Sequence, residues 1–273
     1  MCRDISFHSE IQVITETFPE IKLSGIDQAS KDAWAHVTCE ILPEYPIVAP
    51  KNEELYLTPM SWGVIPAYEK DPKMREIRRR NMVNAQSERI LEDKKSYWYR
   101  LRKNRCLIPA TGVYEHRKVA GFKNKIPYLV KPEGRNGFYL PALYQISEEV
   151  NQSTGEIFNV ASFTMITRKA NELMEWIHND GDNKHRMPLF LAPELEKTWL
   201  DPALSDDDIR AIFQYRIASD ELYHHPVFTI RGAKAIRDDE KTKDEFYDWG
   251  EKLPVYGKGS GGGAGVGQQG SLF

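Results

Sequence analysis

The chain has 273 residues, 41% hydrophobic and 28% charged, a balance that excludes wholesale disorder. No apolar run approaches the ~18–20 residues of a bilayer crossing, and the opening MCRDISFHSE lacks the basic-then-apolar order of a secretory signal. Net charge is -3, which by itself argues against a nucleic-acid partner, yet residues 73–105 hold twelve Lys/Arg against four acids and leave the rest of the chain at -11.

From the N-terminus, Cys2 is the first residue of chemical interest. Removal of Met1 would leave an α-amine and a thiol on one residue. The amine has a reference pKa of about 7.7–8.0 and the thiol about 8.5. Such a 1,2-aminothiol condenses with an aldehyde to an imine and then a thiazolidine, or acts as an N-terminal nucleophile in acyl transfer. A chance cysteine at a frayed end is the plainer alternative. Cys2, Cys39 and Cys106 are too few for a disulfide framework, and no CxxC pair or His/Cys ligand spacing appears. The expectation is a cytosolic protein without metal or cofactor.

Strand-like runs follow at 33–39 and 54–59, the second leading into Ser61-Trp62-Gly63-Val64-Ile65-Pro66. The basic block then begins, with Arg78, Arg79 and Arg80 in one run. It reads either as a phosphate-binding surface or as a solvated face with i,i+4 pairs. Asn84-Ala85-Gln86-Ser87-Glu88 precedes a helical pattern over 87–103, so Asn84 also suits a helix cap. Residues 105–115, RCLIPATGVYE, place Glu115 at the end of a strand, where it could simply pair with Arg105 or Arg117. Further strands are expected at 126–131, 137–145, 156–167 and 188–192. Helices are expected at 170–177, from Ala192-Pro193-Glu194 onward, and at 206–215. His178 follows the first of these, where a cation suits a helix C-terminus, and Arg186-Met187-Pro188 comes soon after. Strands and helices do not alternate regularly, which predicts an α+β fold with a largely antiparallel or mixed sheet. Eight of the 18 glycines fall in 257–273, so the expected organisation is one packed domain over 1–256 and a flexible tail.

These blocks together resemble the SRAP family, the SOS-response-associated peptidases or abasic-site processing proteins. The family pattern is an initiating Met-Cys, a WGLIP-like turn, NARSE, RCLxPAxGFYEW, and IH followed by RMP. Five such blocks stand here in family order across about residues 1–230. The resemblance implies a β-rich single domain whose groove binds single-stranded DNA, as a monomer. It further implies that Cys2 forms a thiazolidine with the ring-opened sugar of an abasic site, that Asn84 orients Cys2, that Glu115 is the acid/base, and that His178 assists ring opening or imine chemistry. The same residues could remove Met1. The chemistry asks for these types independently: a carboxyl with a raised pKa can take and give protons, histidine is poised near neutrality, and asparagine holds an amine without fixing its charge. Trp62, Met187 and Arg186 are family positions near DNA, although Trp62 and Met187 are equally core-like. Two other activities stay open, an N-terminal-cysteine peptidase or amidase that does not act on DNA and a non-covalent single-strand-binding module.

Several positions depart from the pattern. Arg3 and Asp4 replace the usual Gly-Arg after Cys2, Gln86 replaces the NARSE arginine, and His116 replaces an aromatic residue. An insertion, Asn179–His185, separates His178 from Arg186-Met187-Pro188 and makes His185 a second candidate for the catalytic histidine. Outside the family blocks, Gln269-Gly270-Ser271-Leu272-Phe273 resembles the short sliding-clamp-binding peptide of bacteria, roughly QLSLF. The Gln269, Leu272 and Phe273 side chains would make that contact.

Overall fold

Alternating and continuous apolar runs in the middle of the chain build two sheets, seen in a computed structural model that describes residues 2–8, 11–26, 34–151, 153–232, 235 and 241–257. Within that range the strands are β1 (Asp4–Ser6), β2 (Lys22–Leu23), β3 (Val37–Thr38), β4 (Glu44–Lys51), β5 (Glu54–Trp62), β6 (Asn84–Gln86), β7 (Arg105–Ala110), β8 (Gly112–Arg117), β9 (Ile126–Pro132), β10 (Phe138–Val150), β11 (Ile157–Lys169), β12 (Arg186–Pro188) and β13 (Leu222–Pro226). The helices are short: α1 (Ile11–Thr17), α2 (Pro72–Arg80), α3 (Ser87–Leu91), α4 (Tyr97–Leu101), α5 (Glu172–Ile177), α6 (Pro193–Trp199) and α7 (Asp206–Gln214). None is long and apolar enough to cross a membrane. The fold is the strand-rich α+β class expected, with mainly antiparallel pairing and peripheral helices.

One sheet has the order β13-β9-β8-β1-β3. In the other, β11 pairs with β10 along one edge and in parallel with β5 through Ser162–Ser61 and Phe163–Trp62. Because β5, β4, β7 and β10 are already joined in sequence, that last pairing closes the five strands on themselves. Closure removes their free edges and encloses a core containing Tyr45, Leu57, Trp62, Leu107 and Phe163. Gly63 leaves β5 at φ 94, where a Cβ would lie 2.8 Å from Leu42 Cδ2 and 3.0 Å from the Arg79 carbonyl, so the turn after Trp62 requires glycine.

Some local expectations are corrected. The pattern over 87–103 forms two helices, because Asp93 accepts from Lys95 N in a turn and Ser96 caps a new start at Trp98 N. Only Val37–Thr38 of 33–39 is strand among the described residues, since Cys39–Ile41 turns into a 3-10 helix. The strand expected at 188–192 is instead Arg186–Pro188, and Phe190 N then turns back to the Pro188 carbonyl. Two elements carried no clear signal. Strand β4 includes Pro46 and Pro50, which argue against a central strand. Helix α2 buries no residue; it is started by the Asp71 side chain at Met74 N and by Pro72.

Candidate functional site

Three segments far apart in the chain converge on Cys2. Strand β1 lies between β3 and β8, with Asp4 opposite Tyr114, which brings the N-terminal segment alongside Glu115. Strand β6 runs parallel to β11 and holds Asn84 opposite Met165. The buried Asn84 amide donates from Nδ2 to the Cys2 carbonyl at 2.9 Å. Helix α5 begins at an Asn171 cap and ends at His178, whose N–H closes on the Met174 carbonyl. Helix α5 packs on β8.

The site is buried and polar at once. Cys2 is fully buried, and Glu115 and His178 are 4% and 8% exposed. Burial pushes the Glu115 carboxyl above its usual range and Asp4 adds to that, while neighbouring His178 and a hydrogen bond with Cys2 oppose it. Burial likewise raises the Cys2 thiol, helped by the negative charges of Glu115 and Asp4. His178 donates from Nδ1 to the Arg186 carbonyl at 2.9 Å, since a carbonyl can only accept. In the neutral ring that leaves Nε2 as the basic nitrogen. Asn84 Oδ1 and Glu115 Oε1 are buried without a hydrogen-bond partner among the described residues. Two unsatisfied acceptors beside Cys2 form a receptor for N–H or O–H donors.

A cavity of about 410 Å³ opens onto Glu115 and His178, with Asp4, His116, Arg3, Lys125 and Arg231 also in its wall; Cys2 and Asn84 lie behind this wall and do not line it. The insertion folds as a lip on this cavity through Asp180, Gly181, Asp182 and Asn183. Lys125 pairs with Asp180 at 2.9 Å, and Asn179 exchanges hydrogen bonds with the Lys118 backbone at 2.9 and 3.0 Å. His185 closes the loop, its N–H on the His178 carbonyl at 2.9 Å, with φ 61 and an exposed side chain that is not in the cavity wall. His116 is held neutral: burial depresses its pKa to about 4 against the pull of Asp4.

The residues expected to face DNA divide. Trp62 is fully buried, stacked on Phe163 at 5.6 Å, and donates from its indole to the Val83 carbonyl at 2.9 Å. Met187 is 2% exposed. Both are core residues here, and neither offers a face to a base without the core opening. Arg79 is structural, donating to the Gly63 carbonyl at 3.1 Å and Ser61 Oγ at 2.5 Å. Arg78 and Arg80 are about half exposed and pair with Glu69 and Glu76. Arg186 grips Glu88 with both terminal nitrogens, at 2.7 and 2.9 Å, and braces the Thr167 carbonyl. Gln269, Leu272 and Phe273 lie outside the described residues. Sequence reasoning missed Lys125 and Arg231 in the cavity wall and His36 behind Asp4, and no local pattern marks them.

Residues 1–230 match the family model of the SOS response associated peptidases (SRAP). The chain is 34% identical over 210 residues to abasic site processing protein YoqW of Bacillus subtilis (strain 168), covering 76% of this chain and 84% of the relative. It is 33% identical over 210 residues to YobE of the same strain, described in the same words, covering 76% and 85%. Its structure is similar to the crystal structure of a Bacteroides thetaiotaomicron protein, with a TM-score of 0.70, 26% identity, and coverage of 89% of this chain and 97% of that one.

Proposed function

The chain belongs to the SRAP family, and from that premise we propose that it processes abasic sites in single-stranded DNA by covalent capture on Cys2 after Met1 is removed. The observation that carries this reading is that Asn84 is bonded directly to the second residue of the chain, Cys2, beside Glu115, which His178 flanks in turn. The ring-opened sugar presents an aldehyde. The Cys2 amine adds to it and water leaves, giving an imine. The thiol then adds to the imine carbon while its proton passes to nitrogen, closing a thiazolidine with net loss of one water.

Each neighbour has a part. Glu115, whose carboxyl burial pushes above its usual range, supplies the proton for the departing hydroxyl and takes one from the thiol, which burial makes a weaker acid. His178 protonates the ring oxygen as the sugar opens. Asn84 fixes the Cys2 backbone and, through Oδ1, receives the amine. The same constellation suits hydrolytic removal of Met1. On the surface, Arg78 and Arg80 track phosphates, and the C-terminal Gln269, Leu272 and Phe273 dock on a sliding clamp, a reading that rests on their pattern alone.

The test is incubation of mature protein with single-stranded DNA carrying one abasic site. A denaturant-stable adduct is expected with wild type and none with Cys2→Ala. An adduct that survives Cys2→Ala, or no adduct with wild type, overturns the reading.

A further inference from the structure

We propose that Arg231 is a positioning residue for the Cys2–Glu115 pair, acting through the buried carboxylate of Asp4. The proposal extends the function above and rests on it for its DNA readout.

Asp4 is 1% exposed in the middle of a sheet, two residues from Cys2, and lines the same cavity as Glu115. A buried carboxylate there needs compensation. Arg231 provides it as a fork: Nε donates to Asp4 Oδ1 at 3.0 Å and Nη2 to Asp4 Oδ2. Its remaining arm donates from Nη1 to Glu40 Oε1 at 2.6 Å. Glu40 in turn lies 3.6 Å from Arg3. His36 Nε2 also reaches Asp4 Oδ1, at 3.0 Å from β3's flank, so Arg231 shares Oδ1 with it and alone holds Oδ2. Arg231 stands one residue beyond the family match, so this clamp comes from outside the motif blocks.

The consequence is electrostatic. Asp4 bears on both Cys2 and Glu115. With Arg231 in place the carboxylate is neutralised within its own ion pair. Without it, an unbalanced negative charge in a buried site makes Cys2 and Glu115 hold their protons more tightly. The other charged or titratable groups facing the cavity are His178 beside Glu115, Arg3, His116 and Lys125 on its wall, and Asp180 and Asp182 on the lip. None of them is bonded to Asp4. The clamp also ties β1 to the segment after β13, holding the Cys2 backbone in register beside Asn84.

The experiment compares wild type, Arg231→Gln, Asp4→Asn and the double variant in full-length mature protein. Alkylation of Cys2 by iodoacetamide is followed by mass spectrometry across pH, and adduct formation with abasic DNA is measured in parallel. Arg231→Gln is expected to slow Cys2 alkylation at fixed pH by about three- to tenfold, Asp4→Asn to speed it, and the double variant to return within about twofold of wild type. Arg231→Lys keeps the charge and is expected to stay within about threefold of wild type, and it serves if the glutamine variant does not fold. An unchanged rate in Arg231→Gln, a double variant slower than Arg231→Gln, or a lysine variant as slow as the glutamine one overturns the proposal. A wild type that follows this alkylation cycle but forms no DNA adduct overturns the proposed function and leaves the role of Arg231 standing.

Discussion

Asn84 Nδ2 holds the Cys2 carbonyl at 2.9 Å across 82 residues of chain. The bond ties the second residue of the chain to a short strand that is itself fixed in parallel on β11. A nucleophile on a frayed terminus loses most of its advantage to conformational freedom, and this bond restores it by holding the reacting residue against its acid/base.

Glu115→Gln keeps the shape of the side chain and removes its proton transfer. Adduct formation is expected to slow by about a hundredfold to ten-thousandfold, measured by single-turnover kinetics on abasic single-stranded DNA. The same variant is expected to be more stable than wild type at neutral pH. The folded-state pKa of Glu115 is raised by burial, so folding holds on to a proton that the unfolded chain releases. The destabilisation is absent well below the ordinary carboxylate pKa of about 4.3, and it grows as pH climbs through and beyond that value. Urea melts of both proteins at acid and neutral pH therefore should converge at low pH and separate as pH rises.

His178→Ala is expected to slow adduct formation by about a hundredfold, whereas His185→Ala should change it by less than about threefold. His178 lines the cavity and is oriented by the Arg186 carbonyl; His185 is exposed and does not line it. Equal losses, or the reverse order, would move the catalytic histidine to the insertion.

The three consecutive arginines separate by what they already touch. Arg79→Ala leaves Ser61 Oγ and the Gly63 carbonyl without their donor and is expected to cost about 1–3 kcal/mol of folding stability by urea denaturation. Arg78→Ala and Arg80→Ala should leave the melting temperature almost unchanged, because exposed ion pairs contribute little. Both should weaken binding to single-stranded DNA, and each lost phosphate contact lowers the slope of log affinity against log salt by about 0.7. An unchanged slope in the double variant would identify the block as an ordinary solvated face.

A peptide of residues 257–273 is expected to bind the sliding clamp from the same source in a fluorescence-anisotropy titration, and a peptide with Leu272→Ala and Phe273→Ala is not. Gly270 at the second motif position forgoes one apolar contact worth about 1–2 kcal/mol, so the affinity should rise when Gly270→Leu is made. Identical behaviour of the native and alanine peptides would leave the tail without a partner.

The sequence by itself determined the strand-rich class, the order of the motif blocks and the chemical types at Cys2, Asn84, Glu115 and His178, because residue type and local periodicity are properties of neighbours in the chain. The tertiary structure alone decided which of them meet. Register between β1 and β8 and between β6 and β11 joins positions tens of residues apart, and no local pattern encodes a register. It also decided how each cation is used: Arg79 and Arg186 are taken up inside the fold while Arg78 and Arg80 stay at its surface, although all four look alike in the chain. Trp62 went into the core where β5 closes onto β11, and Met187 where β12 pairs with the far end of β11. Arg231, whose neighbourhood carries no motif, reaches Asp4 across 227 residues, since a buried carboxylate recruits whichever cation the folded chain brings within reach.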